Sequence, residues 1–380
     1  MTLRIAMVTN NYTPYSGGVV NSINSHVQAL QDLGHEILII TLDFLGSQHR
    51  DPPYVKRVPC PIKFIYKNNH MAVPWRADHH VLELLQEFKP SIIHSHHPAL
   101  LGMSACHVAR LLSIPVVFTY HTLYEDYAHY APLPERMTRP VIKKVVHDYC
   151  CSVDGIIAPS EPIRQMLEDQ NIGTQMMVIP SGIDPLFFMP IFQPKLPGES
   201  FSLICVSRMQ PEKNLPFLLD VVSDLEKKIK NFTFTLIGYG ADYESLKKYA
   251  HGTLGLSSQV VRFVHKPDKQ TIARFYRDAD LFLFSSQTDT QGLVLAESMA
   301  SGTPVVALNG PGQEAIMRDG ENGFLVRDAQ EMVDTIIEIA QNPELHRHLQ
   351  HGAWHTSQGY APQVRAGELA AFYRQFVSPV

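Results

Sequence analysis

Short apolar runs alternate with longer amphipathic stretches along the first half of the chain. Residues 5–8 and 37–40 are continuous apolar runs, and residues 19–33 between them carry apolar side chains at helical spacing. Continuous runs of this length are typical of strands buried on both faces, whereas the spaced pattern is typical of a helix with one buried face. Their alternation predicts βαβ units built on a parallel sheet.

The same alternation extends to the end of the chain with one interruption. Residues 187–200 contain Pro190, Pro194, Pro197 and Gly198 and show no periodicity, so they are the predicted linker between two domains. Further strands are predicted at residues 92–94, 115–120, 155–158 and 176–179 before the linker, and at 202–206, 232–237, 260–264, 281–284, 304–307 and 324–326 after it. The predicted fold class is α/β, with two doubly wound domains that face a cleft.

Composition excludes several classes of protein. A chain of 380 residues with 45% hydrophobic and 18% charged residues fits a two-domain globular protein, and its net charge of -5 argues against a nucleic-acid partner. The five cysteines lack the paired spacing of a zinc site or a disulfide framework, so we predict no metal. No secretion signal is recognised and no apolar stretch approaches 18 residues, so we expect a cytoplasmic protein.

Glycines and basic residues follow the first strand of each predicted domain. Gly17 and Gly18 stand where a helix begins and would let backbone amides approach a phosphate, although such pairs also form plain turns. They lack the spacing of a dinucleotide fingerprint, which argues against a nicotinamide enzyme. Arg208 and Lys213 follow residues 202–206, and a guanidinium and an ammonium five residues apart suit a diphosphate. A solvated loop with an Arg208 to Glu212 ion pair is the alternative.

Two carboxylates surround a glycine after the strand predicted at 281–284. Asp289 lies in the loop, and Glu297 lies inside a helix that we expect to begin near Gly292. The first amides of a helix have no intrahelical partner and attract anions, so Gln291, Gly292 and Leu293 are candidate donors to a ligand. The alternative is that Asp289 only caps a turn and Glu297 only favours helix.

These segments resemble the donor-binding region of retaining glycosyltransferases of family four. The family usually carries two glutamates at this spacing, and residues 298–306 and 310–314 are also similar to it. The resemblance covers most of the chain and implies the GT-B fold. The implied domains are residues 1–187 and 188–360, with a final helix within 361–380 that crosses back to the first domain.

The resemblance also implies roles for the candidate residues. Arg208 and Lys213 would bind the donor diphosphate, Asp289 the donor sugar and Glu297 the ribose. Asp289 is one methylene shorter than the usual glutamate, which bears on the choice of sugar. The remaining predicted donor contacts are Gly17, Gly18, Gln291, Gly292 and Leu293.

A polar and aromatic cluster follows the strand predicted at 115–120. Within it, His121 corresponds to the histidine of the family that contacts the donor sugar, so we predict that it is catalytic. His94, His96 and His97 follow another strand, and we interpret them as structural residues near the acceptor pocket.

The acceptor is predicted from a narrower resemblance. Residues 120–130 are most similar to bacterial diacylglycerol glucosyltransferases within the family. Basic residues then alternate with apolar ones over 136–149, and this pattern fits an anionic membrane surface and a solvated helix packed on the sheet equally well. The basic residues are Arg136, Arg139, Lys143 and Lys144. A membrane contact would place the protein on the inner face of the cell membrane.

Together these features favour a retaining, metal-independent hexosyltransferase without a cofactor. Its expected donor is UDP-glucose, and its expected acceptor is a lipid hydroxyl such as that of diacylglycerol. No residue is a convincing covalent nucleophile, so the resemblance implies front-face attack. The alternatives are a soluble or polysaccharide-precursor glycan acceptor, and a nucleotide-sugar-binding protein without catalysis.

Overall fold

A computed structural model describes residues 2–13, 17–44, 51–66, 69–124, 134–190, 192, 199–289 and 291–377. Parts of the predicted features lie outside these ranges, namely residues 14–16 before the glycine pair, 125–130 of the aromatic cluster, 193–198 of the linker and Thr290. The chain forms two compact units. One comprises residues 1–182 and 362–380, and the other residues 183–361, where the sequence suggested boundaries after residues 187 and 360.

The first unit is built on a parallel sheet of seven strands in the order β3-β2-β1-β6-β7-β8-β9. Its strands, and those of a separate hairpin β4-β5, are β1 (Arg4–Thr9), β2 (Glu36–Leu42), β3 (Val55–Val58), β4 (Ile62–Tyr66), β5 (Asn69–Val73), β6 (Ile92–Ser95), β7 (Val116–Thr119), β8 (Gly155–Ala158) and β9 (Gln175–Val178). Its helices are α1 (Gly18–Asp32), α2 (Ala77–Phe88), α3 (Leu101–Leu112), α4 (Glu135–Cys150), α5 (Glu161–Asp169) and, from the end of the chain, α13 (Pro362–Tyr373).

Strand β1 shows why these apolar runs form a central strand. Ala6 and Val8 pack into the core layer on one face of the sheet, and Ile5 and Met7 pack into the layer on the other face. All four are buried, because helices cover both faces of a doubly wound sheet. Helix α13 contributes Phe372 and other apolar residues to the layer that also contains residues of α1.

The second unit repeats this architecture with a parallel sheet of six strands in the order β12-β11-β10-β13-β14-β15. The strands are β10 (Phe201–Arg208), β11 (Phe232–Tyr239), β12 (Val261–His265), β13 (Leu281–Phe284), β14 (Val305–Leu308) and β15 (Gly323–Val326). The helices are α6 (Leu215–Lys228), α7 (Tyr243–Lys248), α8 (Lys269–Asp278), α9 (Leu293–Ala300), α10 (Pro311–Ile316), α11 (Ala329–Gln341) and α12 (Pro343–Gln358). The predicted α/β class with two doubly wound halves is confirmed.

Every strand predicted from an apolar run overlaps an observed strand, whereas three strands between residues 55 and 73 were not predicted. Strand β3 has only four residues, two of them basic, and lies at the edge of the sheet, where one side of the strand is left open. The antiparallel hairpin β4-β5 interrupts the βαβ pattern, and polar residues such as Lys63 and Asn69 break up its apolar runs. Continuous apolar runs identify central parallel strands, so they do not reveal such edge and hairpin strands.

Candidate functional site

The carboxyl ends of β10 and β13 bring the predicted diphosphate-binding and sugar-binding loops together. The two strands are parallel neighbours in the sheet, so the loops that follow them leave from the same edge. Lys213 lies in a short 3₁₀ turn after β10, and Asp289 lies in the loop after β13. The fold therefore joins residues that are 76 positions apart in sequence.

Lys213 and Asp289 form an ion pair with 2.5 Å between Nζ and Oδ1. The side chain of Lys213 is only 11% exposed and that of Asp289 is 27% exposed. An ion pair that is largely removed from water is screened less than a surface pair. The acid that was predicted to contact the sugar is thus held beside the cation that was predicted to contact the diphosphate.

Hydrogen bonds and close packing fix the two loops around this pair. The hydroxyl of Ser285 donates to the carbonyl of Lys213 at 2.9 Å, and that of Ser286 donates to the carbonyl of Glu212 at 3.3 Å. On the other side, a Cβ atom added to Gly312 would lie 2.5 Å from the carbonyl oxygen of Asp289. A glycine at position 312 is therefore required for the loop to approach α10 this closely.

Helix α9 begins where the sequence predicted, with Leu293 as its first residue and Gly292 as its cap. Gly292 has φ 58 and ψ 41, a left-handed conformation that glycine adopts without steric cost. Because the capping residue is a glycine, it offers no side chain to hydrogen-bond the first amides of the helix. Gln291 is buried directly before it.

Glu297 lies half-buried on the same helix. The hydroxyl of Tyr276 donates to its Oε2 at 3.2 Å. Removal from water raises the pKa of Glu297 to about 7, and the positive charge of Lys269 and the Tyr276 hydrogen bond oppose this rise. A carboxyl group in this state gains most from a ligand that donates hydrogen bonds to its charged form, as a ribose diol does.

Arg208, at the end of β10, faces Glu212 with 3.6 Å between Nη2 and Oε1. The side chain of Arg208 is 40% exposed, so this pair contributes little to stability. The ion pair that was considered as an alternative does form, and the exposure of Arg208 makes it weak.

Gly17 and Gly18 stand at the start of α1 in the first unit. Gly17 caps the helix with extended backbone and has no side chain to hydrogen-bond the first amides. The first turn of α1 contains no acidic residue. Among the described residues, nothing lies within 4 Å of a Cβ atom built on Gly18. Packing within the described residues therefore does not explain this glycine, and its predicted role at a phosphate stays a prediction.

His121 follows β7 and contacts His96, which follows the neighbouring strand β6. The two rings stack with centroids 5.2 Å apart, and His96 Nδ1 and His121 Nε2 share a hydrogen bond of 2.9 Å. Burial lowers the pKa of His121 to about 3 and holds the pKa of His96 well below its usual range. Both rings are therefore neutral near pH 7.

The remaining histidines of this cluster are tied to the sheet and to α13. His94 shares hydrogen bonds of 2.6 Å with Thr119 and with the hydroxyl of Tyr373. His97 accepts a hydrogen bond of 3.2 Å from the backbone amide of Asn10. Sequence reasoning did not assign His96 a partner. The sequence did contain a signal for this contact, because β6 and β7 are adjacent βαβ strands and a histidine follows each of them.

Side chains that could bind a metal ion lie close together at a place other than the predicted donor site. Within the described residues, His79, His80 and Glu83 on α2 are close enough to share an ion. His79 and Glu83 lie on the surface and already form an ion pair at 3.3 Å when the imidazole is protonated. None of the predicted donor-site residues belongs to this group.

No helix in the described part of the chain is long and apolar enough to span a bilayer.

Two family models cover most of the chain. Residues 16–186 match the model described as Glycosyltransferase Family 4, and residues 190–354 match Glycosyl transferases group 1. The division between the two matches falls close to the boundary between the two structural units.

Curated relatives and solved structures agree with these matches. The chain is 30% identical to the alpha-monoglucosyldiacylglycerol synthase of Streptococcus pneumoniae over 91% of its own length and 80% of that protein. It is 26% identical to the enzyme of the same name from Acholeplasma laidlawii, over 99% and 98% of the two chains. The Anabaena HepE protein in complex with UDP has a TM-score of 0.77 at 18% identity, over 98% and 100% of the chains. This structural likeness confirms the predicted GT-B fold.

Proposed function

We propose that this chain, which belongs to glycosyltransferase family 4, transfers glucose from UDP-glucose to the hydroxyl group of a diacylglycerol with retention of configuration. The observation that carries the proposal is the 30% identity, over most of both chains, to an alpha-monoglucosyldiacylglycerol synthase. The product in that name has one α-linked glucose on diacylglycerol. UDP-glucose is itself an α-glycoside, so an α-linked product corresponds to retention.

Electrostatic stabilisation of the leaving UDP is the main contribution proposed for the second unit. Lys213 pairs with Asp289 in the loop that leads into α9, Arg208 lies at the end of β10, and the positive end of the α9 dipole also favours negative charge. Positive groups held in place where charge develops lower the barrier without reorganisation during the reaction. Lys213 would exchange its Asp289 partner for the diphosphate when the donor binds. This positive charge makes a metal ion unnecessary for the proposed reaction.

The two acids take different parts of the donor in this proposal. Glu297 accepts hydrogen bonds from the ribose, since its raised pKa leaves its charged form in need of donors. Asp289 contacts the hydroxyls of the sugar once Lys213 has turned to the diphosphate, and the close approach of Gly312 holds the backbone of Asp289 in place. The shorter side chain of aspartate at this position favours a sugar whose hydroxyls reach further into the site.

The reaction is proposed to proceed by front-face attack. The acceptor hydroxyl approaches the anomeric carbon on the face from which UDP departs, and its proton passes to the leaving phosphate oxygen. The carbon–oxygen bond to UDP breaks as the bond to the acceptor oxygen forms. His121 is neutral at pH 7, so we assign it a hydrogen bond to the donor sugar and not the role of a charged acid.

Helix α4 supports a membrane-bound acceptor. Met137, Val141 and Val145 are exposed at a spacing of four residues, while Val146 and Tyr149 face the core. The helix thus packs on the unit and also presents a second apolar stripe beside basic residues. We expect Lys143→Glu with Lys144→Glu to weaken binding to anionic vesicles by about thirtyfold or more, because each of the two cations near such a surface contributes about 1 kcal/mol. Cosedimentation measures this, and unchanged binding would leave α4 a solvated helix.

The decisive experiment incubates the purified protein with a panel of nucleotide sugars and with either diacylglycerol vesicles or soluble glycan acceptors. The expected product is α-glucosyldiacylglycerol from UDP-glucose, identified by mass spectrometry and by the anomeric coupling constant. Transfer that persists in EDTA is expected from the proposed metal independence. Transfer to glycans alone would contradict the lipid acceptor, and donor binding without hydrolysis or transfer would contradict catalysis.

A further inference from the structure

The hairpin β4-β5 exposes a cluster of large apolar side chains. Ile62 pairs with Val73 and Phe64 pairs with Met71 across the two strands, so all four side chains lie on one face. They are 57%, 40%, 43% and 44% exposed, respectively. Trp75, two residues beyond β5, is 68% exposed. We call these five residues the hairpin face.

The opposite side of the hairpin is turned toward the protein and is less apolar. Lys63 pairs with Ala72 in the register, and Ala72 is buried. The ammonium group of Lys63 lies 2.6 Å from the carboxylate of Asp43. A hairpin on a water-soluble protein normally points its apolar residues inward and its polar residues outward. In this hairpin the exposed face carries four large apolar side chains, whereas the face toward the protein carries Lys63 beside the small Ala72, so the outer face suits an apolar environment.

The segment that contains the hairpin is rich in basic residues. Residues 52–77 contain five basic residues and no acidic residue, although the whole chain has a net charge of -5. Arg57 and Lys63 are paired with Asp51 and Asp43, whereas Lys56 and Arg76 are exposed. Exposed apolar and aromatic side chains beside cations match the interface of an anionic bilayer.

We propose that the hairpin face inserts into the interface of anionic membranes and docks the enzyme on the bilayer that holds its acceptor. This inference rests on the proposed lipid acceptor. It differs from the proposed contact of α4, which is helical and combines a narrower apolar stripe with its cations. A second copy of the chain is a poorer occupant, because a symmetric contact through this face would bring two equally basic flanks together.

Trp75 provides a direct reporter of insertion. The chain has two tryptophans, and Trp354→Phe leaves Trp75 as the only one. In this background we expect vesicles of phosphatidylglycerol and phosphatidylcholine to shift the emission of Trp75 to shorter wavelength. Lipids brominated on the acyl chain should quench it, whereas phosphatidylcholine alone should give a weaker response. An emission that ignores the brominated lipid would overturn the proposal.

Substitution of the hairpin face tests the energetic contribution of the same residues. We expect Phe64→Ser with Met71→Ser to weaken vesicle binding by roughly tenfold or more, since binding scales with the apolar area inserted. Trp75→Ser, which lies outside both strands, provides a variant with less risk to the hairpin itself. The matched control is Met103→Ser with Leu111→Ser, two exposed apolar residues on α3. Hairpin variants that bind vesicles as tightly as this control would contradict the inference.

Activity on two forms of acceptor separates this inference from the proposed function. With a water-soluble short-chain diacylglycerol, the hairpin variants should match the wild type, and with long-chain diacylglycerol in vesicles they should lose activity. Insertion of Trp75 without transfer to any lipid would disprove the proposed function and leave the docking surface intact. Transfer to vesicle lipid without insertion of Trp75 would disprove the docking surface alone.

Discussion

The carboxyl ends of the two sheets carry opposite chemistry on the same architecture. In the second unit, the strand ends hold charged groups, namely Arg208 and Lys213 with Asp289 and Glu297 nearby. In the first unit, the equivalent edge holds His96 and His121 as neutral imidazoles. Parallel topology thus collects polar side chains at one edge of each sheet, but it does not decide whether they are charged.

Burial and ion pairing determine whether these side chains are charged. Lys213 and Asp289 neutralise each other within 2.5 Å, and Arg208 remains largely in contact with water. The histidines lie deep in the first unit beside one another and beside His26, so a proton on one ring would be desolvated and repelled. The second unit therefore offers cations to a diphosphate, whereas the first holds buried, uncharged imidazoles.

The largest effect is expected when the charged edge loses its buried cation. Lys213→Ala should reduce kcat/KM for glucosyl transfer by about 10²-fold or more, because it removes charge stabilisation of the leaving UDP. Initial rates of product formation measure this loss. The variant also leaves the carboxylate of Asp289 without its ion-pair partner, so its thermal stability is recorded in parallel.

Lys227→Ala is the matched control for this change. Lys227 also pairs with an aspartate, at 2.7 Å from Asp224, but on the surface of α6. Its loss should leave the rate within about twofold, as expected for an exposed ion pair. A Lys213→Ala enzyme that works as well as this control would refute the donor-site assignment.

Mild acid should change the stability of the two units in opposite directions. The pKa of His26 and His97 is lowered from 6.5 to about 4 and that of His121 to about 3, so the unfolded state takes up protons first below pH 6.5. The first unit should lose about 1 kcal/mol per histidine at pH 5.5. Glu297 takes up its proton in the folded state at about pH 7, so the second unit should gain stability between pH 7.5 and 5.5.

Hydrogen exchange resolved by peptide measures the two units separately at these two pH values. Exchange rates must be corrected for the intrinsic effect of pH. Equal changes in protection in both units would show that the contrast between neutral and charged edges does not govern their stability.

Glu297→Gln should remove the gain in stability that we expect for the second unit in mild acid. Since the carboxylate of Glu297 is disfavoured in the folded state at pH 7.5, the amide should raise the free energy of unfolding by about 2 kcal/mol there. At pH 4.5 the acid is protonated and the variant should gain nothing. Denaturant titration at both pH values tests this, and UDP binding by calorimetry should weaken because the ribose loses a charged acceptor.

The smallest effect is expected at the exposed ion pair. Glu212→Gln should change the free energy of unfolding by less than about 0.5 kcal/mol, because its partner Arg208 is 40% exposed. UDP binding should be retained or improve slightly, whereas Arg208→Ala should weaken it by about tenfold. A large loss of stability in Glu212→Gln would indicate that Arg208 serves to stabilise its loop through the ion pair with Glu212.

The sequence by itself determined the class of fold and the donor loops. Apolar runs identified the central parallel strands, because a strand covered on both faces must be apolar at every position. The glycine at 292 and the cations at 208 and 213 were readable for a similar reason, since local backbone and charge requirements act within a few residues. The edge strand β3 and the hairpin β4-β5 were missed, because polar and charged residues leave them without a continuous apolar run.

Only the tertiary structure decided how distant residues act on one another. It paired Lys213 with Asp289 and His96 with His121, and it turned the apolar face of the hairpin outward. It also raised the pKa of Glu297 and lowered that of His121. Contacts between distant segments and the depth of burial set these properties, and neither can be read from spacing along the chain.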